Sequence, residues 1–303
     1  MHFNLISNIH NGAGLERDCQ IVGERLDSAG HTSRGLQFNA AIPADARADV
    51  NIFLEVLDPR FFGMARRQWI FVNAEWFAVA WKQHLPKFEL VIVKTRHAYE
   101  LMRPIARKDQ LVYTGFESRD FYDPQIPREP TFLHVAGKSR TKNTAEIIEA
   151  WKGGGLPRLT LVSAFNHGTA AGIEYVTRVS DEDLIKLRNR NLFAIHPSSY
   201  EGFGHSIWES LGCGAVILTT DAEPMRSIGE HCPDGLIAES GIRPRTKWLQ
   251  NTYIVSPKAI RDAVKRVIDL PTETIADCSA RSREKYLTGR WEFRELFKEL
   301  ISR

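Results

Sequence analysis

The stretch LFAIHPSSYEGFGHSIWESLGCGAVILT, Leu192–Thr219, decides how this chain is read. Leu192–His196 is an apolar run of strand length, Ala215–Thr219 is another, and the helical stretch Ser206–Leu211 lies between them. Two such runs joined by one helix make a βαβ crossover, so the strands are parallel and belong to a sheet covered by helices. Glu201 and the Gly-Phe-Gly turn then fall at the carboxyl end of the first strand, where open α/β sheets bind ligands. Gly202 and Gly204 permit strained dihedrals and a close backbone approach to a ligand. The first N–H groups of the following helix face outward, a ready site for an anion such as phosphate.

Two carboxylates frame that turn, and each has a plainer reading. Ser206-x-x-Glu209 and Ser198-x-x-Glu201 both match a capping box, in which a hydroxyl and a carboxylate three residues later satisfy free helix N–H groups. Glu209 fits that role without any ligand. Glu201 precedes two glycines rather than an apolar helical run, so its plain alternative is a solvated loop charge.

The same alternation of strand-length and helix-length segments extends along the chain. Phe3–Ser7 reads as a strand, Asn8–Gly14 as a Gly/Asn-rich turn, and Leu15–Ala29 as a helix closed by Gly30. Further strands are expected at Val50–Val56, Trp69–Val72, Leu90–Lys94 and Leu111–Thr114. The proline-bearing stretch DPQIPREPT, Asp123–Thr131, is the expected linker. A second series follows: strand Phe132–Ala136, helix Asn143–Trp151, strand Leu159–Ser163, helix Asp181–Asn189, and then the crossover already quoted. Helices at Lys258–Asp269 and about Glu284–Leu300 close the chain. The expected division is an N-terminal Rossmann-like domain over 1–125, a second over 131–283, and a C-terminal helix over 284–303 packing back toward the N-terminal domain. Two such domains are expected to face across a cleft lined by the carboxyl ends of both sheets.

Composition sets bounds on the partner. The chain has 303 residues, 43% hydrophobic and 25% charged, with a formal charge of +3. That balance suits an enzyme of anionic ligands and falls short of the dense basic stripe of a dedicated nucleic-acid binder. No apolar run approaches the roughly 20 residues that span a bilayer, and MHFNLISN lacks the charged and long apolar regions of a signal peptide. Cys19, Cys213, Cys232 and Cys278 form no CxxC pair, so neither a zinc site nor a disulfide framework is indicated, and a cytoplasmic location is expected. His10, His97, His134 and His196 form no ligand-spaced cluster, and no metal or other cofactor is expected.

The quoted stretch resembles the signature of retaining GT-B glycosyltransferases, especially family GT4: Glu-(seven residues)-Glu with EGFG, a preceding Pro-Ser, and a following small-residue helix and strand. The likeness covers most of the chain. NGAG, Asn11–Gly14, resembles that family's N-terminal glycine loop. LVYTGFESRDF resembles its strand and turn before the interdomain linker, FLHVAGKSRTKN its strand and basic phosphate-binding loop, and VSDEDLIKL the helix start near the nucleotide base.

The resemblance implies a nucleoside-diphosphate sugar as donor, with charge building on the leaving diphosphate as the glycosidic bond breaks. Lys138 and Lys142 match the family's Arg/Lys pair that stabilises such charge, with Arg140 between them. Glu201 would bind a hydroxyl of the donor sugar and Glu209 the ribose. Phe203, Gly202 and Gly204 would supply backbone contacts, and Gly12 and Gly14 would approach the diphosphate from the first domain. Three positions depart from the family. Lys138 stands where Arg is frequent, and loses bidentate phosphate geometry. His205 stands where an aliphatic residue is usual, and reads either as a phosphate contact or as an exposed first-turn residue. Asn73, in VNAEW, stands where many members carry histidine; Asn73 and Glu75 become the candidate acceptor or sugar contacts.

Other functions stay open on the sequence. Paired carboxylates also serve glycosidases, a GT-B fold also serves nucleotide-sugar epimerases, and a non-catalytic nucleotide-sugar or nucleic-acid binder would share the basic loop. The basic, aromatic stretch Asp58–Phe71 is either core with solvated arginines or a contact for nucleic acid or a membrane surface. The implied acceptor is a glycan or lipid-linked saccharide, with a protein, a small metabolite or a modified nucleobase as the alternatives.

Overall fold

The computed structural model describes residues 1–10, 14–168 and 170–302. Its chain separates into unit 1, Met1–Glu117, Arg245–Gln250 and Gly289–Arg303, and unit 2, Ser118–Pro244 and Asn251–Thr288.

Unit 1 starts with β1 (His2–Ser7), α1 (Gly14–Ser28) and β2 (Thr32–Gln37). It continues through β3 (Ala48–Leu54), β4 (Ala65–Val72), β5 (Leu90–Val93), α2 (Arg96–Met102) and β6 (Leu111–Tyr113). The six strands are parallel, in the order β2-β1-β3-β4-β5-β6. Central strands are apolar on both faces, as a sheet covered twice requires. Phe53, Ile70, Val72, Val91 and Val93 pack with Phe61, Phe77, Leu85, Phe88 and Met102 on one side. Each such side chain contributes about 1.5–3 kcal/mol by leaving water. β2 escapes the apolar-run criterion because TSRGLQ, at the sheet edge, buries only Leu36.

The stretch Asp58–Phe71 is resolved in favour of core. Phe61, Trp69, Ile70 and Phe71 are buried, Arg60 pairs with Asp58, and Arg67 pairs with Glu89. Phe62 is half-buried and Arg66 is exposed.

Unit 2 comprises β7 (Glu129–Gly137), α3 (Thr144–Lys152), β8 (Leu159–Ser163), β9 (Ile173–Val176), α4 (Asp181–Arg190) and β10 (Asn191–His196). After these come α5 (His205–Gly212), β11 (Val216–Thr220), α6 (Met225–Gly229) and β12 (Leu236–Ile237). The hairpin β13 (Glu239–Arg243) and β14 (Thr252–Val255) precedes α7 (Pro257–Ile268) and α8 (Thr272–Ile301). The parallel sheet runs β12-β11-β10-β7-β8-β9, which, counted within the unit, is the strand order of doubly wound dinucleotide-binding sheets.

The two-residue period of the strands sorts their side chains between the faces. Phe193, Ile195, Val216 and Leu218 pack against α3 and α7 through Ile147, Trp151, Ile260 and Val264. Ala194, Ala215 and Ile217 alternate with them and pack against Ile207, Leu211, Met225, Ile228 and Tyr286 on the other face. Helices thus cover both sides.

Several expected elements shift. The proline-bearing stretch 123–131 lies within unit 2: the Asp123 N–H donates to Asn189 Oδ1, and β7 already begins at Glu129. The terminal helix starts at Thr272, twelve residues before Glu284. Its earlier part belongs to unit 2, where Ser279 and Ser282 donate to the carbonyls of Gly214 and Ala215. Its last turns belong to unit 1, where Phe293 and Phe297 stack and pack on Phe116 and Phe71. Among the described residues, no helix is long and apolar enough to cross a membrane, and all four cysteines are free and buried.

Candidate active site

In the sheet of unit 2 the connections leave β7 and β10 in opposite directions, so the loops after these adjacent strands flank the crevice where such sheets hold nucleotides. Both loops carry residues expected from the sequence. After β7, Gly137 turns at φ 56°, and the Ser139 N–H donates to the Ala136 carbonyl at 3.0 Å. Lys138, Ser139, Arg140, Thr141, Lys142 and Asn143 then lead into α3. After β10, residues 197–204 lead into α5.

Asn143 binds the two loops together. Its backbone is left-handed at φ 49°, its Nδ2 donates to the Pro197 carbonyl at 2.7 Å, and its Oδ1 accepts from Ser199 Oγ at 3.1 Å. The Ser199 N–H donates to the Thr141 carbonyl at 2.8 Å. This stitching sets Lys142 against Glu201: Lys142 Nζ donates to Glu201 Oε1, and both side chains are largely shielded from solvent. The capping-box reading of Ser198 and Glu201 does not hold, because 197–204 is irregular. Glu201 is instead half of an ion pair between the two loops.

Lys138 and Arg140, on the same loop as Lys142, are exposed. The Arg140 guanidinium lies over the Phe165 ring, 5.1 Å from its centre. Gly202 is half-buried and Phe203 is buried, its ring stacked on Trp208 at 5.3 Å. Gly204, at φ 84°, is the N-cap of α5. His205 opens that helix half-buried, with its Nδ1 2.7 Å from Ser118 Oγ and its ring edge-on to Phe203. It is therefore a packed residue, which the plain reading of an exposed first turn did not anticipate.

Glu209 also differs from the capping-box expectation. The N-cap is Gly204 rather than Ser206, so Glu209 lies too far along α5 to close its first turn. It is buried, and accepts from Arg188 Nη2 of α4 at 2.5 Å. Arg188 Nη1 donates to Ser210 Oγ at 3.0 Å and to the Ser206 carbonyl at 3.2 Å. Arg188 escaped the sequence reading, although a trace was there: four residues after Leu184, it falls on the inward stripe of α4.

Two histidines lie deep at this end of the sheet. His134 on β7 sits within hydrogen-bond distance of the Ile195 carbonyl, 2.8 Å, and of Thr144 Oγ1, 3.0 Å. Burial holds it neutral, with its pKa pushed down to about 4. His196, at the end of β10, is also held well below the usual histidine range by burial, with Lys142 adding to the effect.

The expected residues of the first domain lie in unit 1. Gly14 opens α1 and is exposed; Gly12 lies outside the described residues. Asn73 and Glu75 follow β4 and are buried. Asn73 Nδ2 donates to Glu55 Oε2 at 2.5 Å, and the Glu75 carbonyl accepts from Arg245 Nη1 at 2.7 Å. Among the described residues, no group of three His, Cys, Asp or Glu side chains is placed to hold a metal ion.

Fold and site together define a two-unit α/β protein of the GT-B class, with a basic loop and a carboxylate meeting at a nucleotide-type crevice. The family model of glycosyl transferases group 1 matches residues 121–285, over half of the chain, and the chain belongs to that family. No curated protein matches it in sequence. Among solved structures, it is similar to a glycosyltransferase from Rickettsia africae at 13% identity and a TM-score of 0.73, with 99% of this chain and 97% of that one covered. Anabaena HepE in complex with UDP-glucose matches at 12% identity and a TM-score of 0.71, over the full length of both chains. Sucrose-phosphate synthase from Thermosynechococcus elongatus matches at 13% identity and a TM-score of 0.70, over 99% of each.

Proposed function

We propose that this chain is a retaining glycosyltransferase that needs no metal, and that it moves a sugar from a nucleoside-diphosphate donor to a hydroxyl of a glycan or lipid-linked saccharide. The observation that carries the reading is the meeting of Lys142 and Glu201 at the crevice between β7 and β10. HepE, of the same fold, was solved with UDP-glucose, which supports a nucleotide sugar as donor.

As the bond from the anomeric carbon to the diphosphate breaks, the sugar gains oxocarbenium character and negative charge builds on the leaving oxygen. Preorganised positive charge aimed at that oxygen is typically the largest catalytic contribution. Lys142 and Lys138 would supply it, with Arg140 at the rim and the first N–H groups of α5 adding partial positive charge. Glu201 would turn from Lys142 to a hydroxyl of the donor sugar. The ion pair thus keeps both groups in place until a ligand offers each a better partner. Glu209, held by Arg188, is the proposed ribose-side carboxylate, and His205 a neighbour of the phosphate.

The test is calorimetric titration of UDP, GDP and ADP into the wild-type chain and Lys142→Ala. One nucleotide should bind the wild type, and the variant should bind it at least tenfold more weakly. Equal affinity in the two proteins, or no binding of any of the three to the wild type, would remove the phosphate role from this loop.

A further inference from the structure

The hairpin of β13 and β14 departs from the alternation of strands and helices in the rest of unit 2. Its register pairs Arg243 with Thr252, which leaves the eight residues 244–251 to join the two strands. Two to five residues are enough to turn an antiparallel hairpin. The two strands also form a sheet of their own, and an isolated two-stranded hairpin is only marginally stable in water. The ribbon therefore needs holding from outside.

Its connection is held in unit 1. Arg245–Gln250 belong to that unit, although the strands on either side belong to unit 2. The Trp248 N–H donates to the Arg245 carbonyl at 3.1 Å, closing a turn. Around that turn, the Val79 N–H donates to the Lys247 carbonyl at 3.0 Å, Arg245 Nη1 donates to the Glu75 carbonyl at 2.7 Å, and Trp248 pairs with Ala78 in an antiparallel bridge. The Trp248 ring meets Trp76 edge-on at 5.3 Å, and the Arg245 guanidinium lies 5.1 and 5.4 Å from the centres of the two rings. Leu249 packs against the core of unit 1, and Gln250 is buried. Backbone, cation–π and apolar contacts thus fasten one short turn.

Beyond the turn, β14 bears on the loop after β10. The Tyr253 N–H, from the second residue of β14, donates to the Ser199 carbonyl at 2.9 Å. Ser199 is also the residue whose N–H reaches the Thr141 carbonyl and whose hydroxyl reaches Asn143, so it lies on the seam that sets Lys142 against Glu201. Val255 is buried in the core of unit 2 and fixes the far end of the strand. β14 is pinned at Gln250 and at Val255, and between the pins it presents one N–H to that seam. Freeing the first pin lets a marginal ribbon fray toward Val255, and Tyr253 lies on the way.

We propose that residues 244–251 are a positioning strap: anchored in unit 1, they hold β14 where Tyr253 fixes Ser199, and through Ser199 they hold Lys142 against Glu201. Trp248 is the anchor of the strap and a positioning residue, acting through Tyr253 and Ser199. Order in the loop after β10 then depends on residues 75–79 of unit 1, a dependence carried along the chain itself. The consequence for nucleotide binding rests on the donor reading; the consequence for backbone order does not.

The test lengthens the strap without removing a side chain. Gly-Ser-Gly-Ser inserted between Gln250 and the exposed Asn251 leaves the partners of Trp248 and Arg245 in place and slackens only the run to Tyr253. In amide exchange on the full chain, the Tyr253 and Ser199 N–H groups should exchange at least tenfold faster than in the wild type, with β3 and β4 of unit 1 unchanged. Trp248→Ala should quicken the same two amides, and Trp248→Phe, which keeps a ring against Trp76, should restore their protection. Calorimetric titration of UDP, GDP and ADP should find the nucleotide that the wild type binds held at least fivefold more weakly by the insertion protein. Wild-type exchange at Tyr253 and Ser199 in the insertion protein overturns the strap. So does faster exchange spread equally over both units, which marks lost stability rather than lost position, and so does unchanged affinity for a nucleotide that the wild type binds. Should Trp248→Ala not fold, the insertion protein decides. If exchange quickens at the two amides alone and the wild type binds none of the three nucleotides, the strap stands and the donor reading falls.

Discussion

At Gly204 the backbone stands at φ 84°, and an added Cβ would come within 3.4 Å of Ile207 Cδ1. Gly204→Ala should therefore cost about 1–2 kcal/mol of stability, read as a lower urea midpoint with an unchanged slope. Glu201, three residues earlier, has no helix to cap and is aimed at Lys142. Glu201→Gln keeps the size and removes the charge, so nucleoside-diphosphate affinity should hold within a few-fold. Sugar transfer should fall by roughly a hundredfold, the scale of losing one well-placed electrostatic contact in a transition state. A variant with full transfer activity would end the assignment of Glu201 to the donor sugar. The sequence made Glu201 and the basic loop visible because polar residues beside glycines at a strand end have few structural duties. It did not reveal Glu55, which the apolar run Val50–Val56 absorbed into a strand. Only the left-handed backbone at that residue ends β3 there and separates it from its neighbours.

Between elements, α4 and α5 are joined by the buried pair of Arg188 and Glu209. Removing one partner of such a pair leaves an uncompensated charge, so Arg188→Ala should destabilise unit 2 by about 3–5 kcal/mol. Replacing both partners with methionine should recover much of the loss, because two charges then avoid desolvation. Denaturant midpoints of the three proteins give the comparison, and an Arg188→Ala protein as stable as the wild type would contradict the pairing. Sequence spacing showed α5 as a helix but misplaced its cap. Ser206 and Glu209 match a capping box, yet Gly204 takes the N-cap because the chain enters α5 through a left-handed turn. The edge strand β2 and the hairpin of β13 and β14 went unread for a related reason: their residues are mostly solvated, so no apolar period announces them.

Across the whole chain, buried histidines set the response to acid. His134 and His231 are pushed down to about 4, and His196 is held well below its usual range, each chiefly by burial. Unfolding restores an ordinary histidine near 6.5, so between about pH 6.5 and 4 the unfolded chain binds more protons and stability falls as pH falls. Glu55, raised to about 7, works the other way: it binds more protons folded than unfolded between about 4.5 and 7, and favours folding at the acid end. Three histidines against one carboxyl leave a net loss, each group acting at about 1 kcal/mol per pH unit within its window. The melting temperature should therefore drop by several degrees from pH 7 to pH 5, and an equal or higher value at pH 5 would contradict the neutral burial of these rings.

The sequence by itself determined the class of the fold and the two loops that meet at the crevice of unit 2. Apolar runs of five residues alternating with helical segments have one economical packing, a parallel sheet covered on both faces, and glycines and charges can then collect only at the strand ends. Tertiary structure alone decided which of those charges meet. Lys142 and Glu201 are 59 residues apart in the chain, Glu55 and Asn73 are 18 apart, and Arg188 reaches Glu209 from another helix. Such pairings follow from the order in which strands lie side by side. That order is set by packing over the whole sheet, and no local pattern of residues records it.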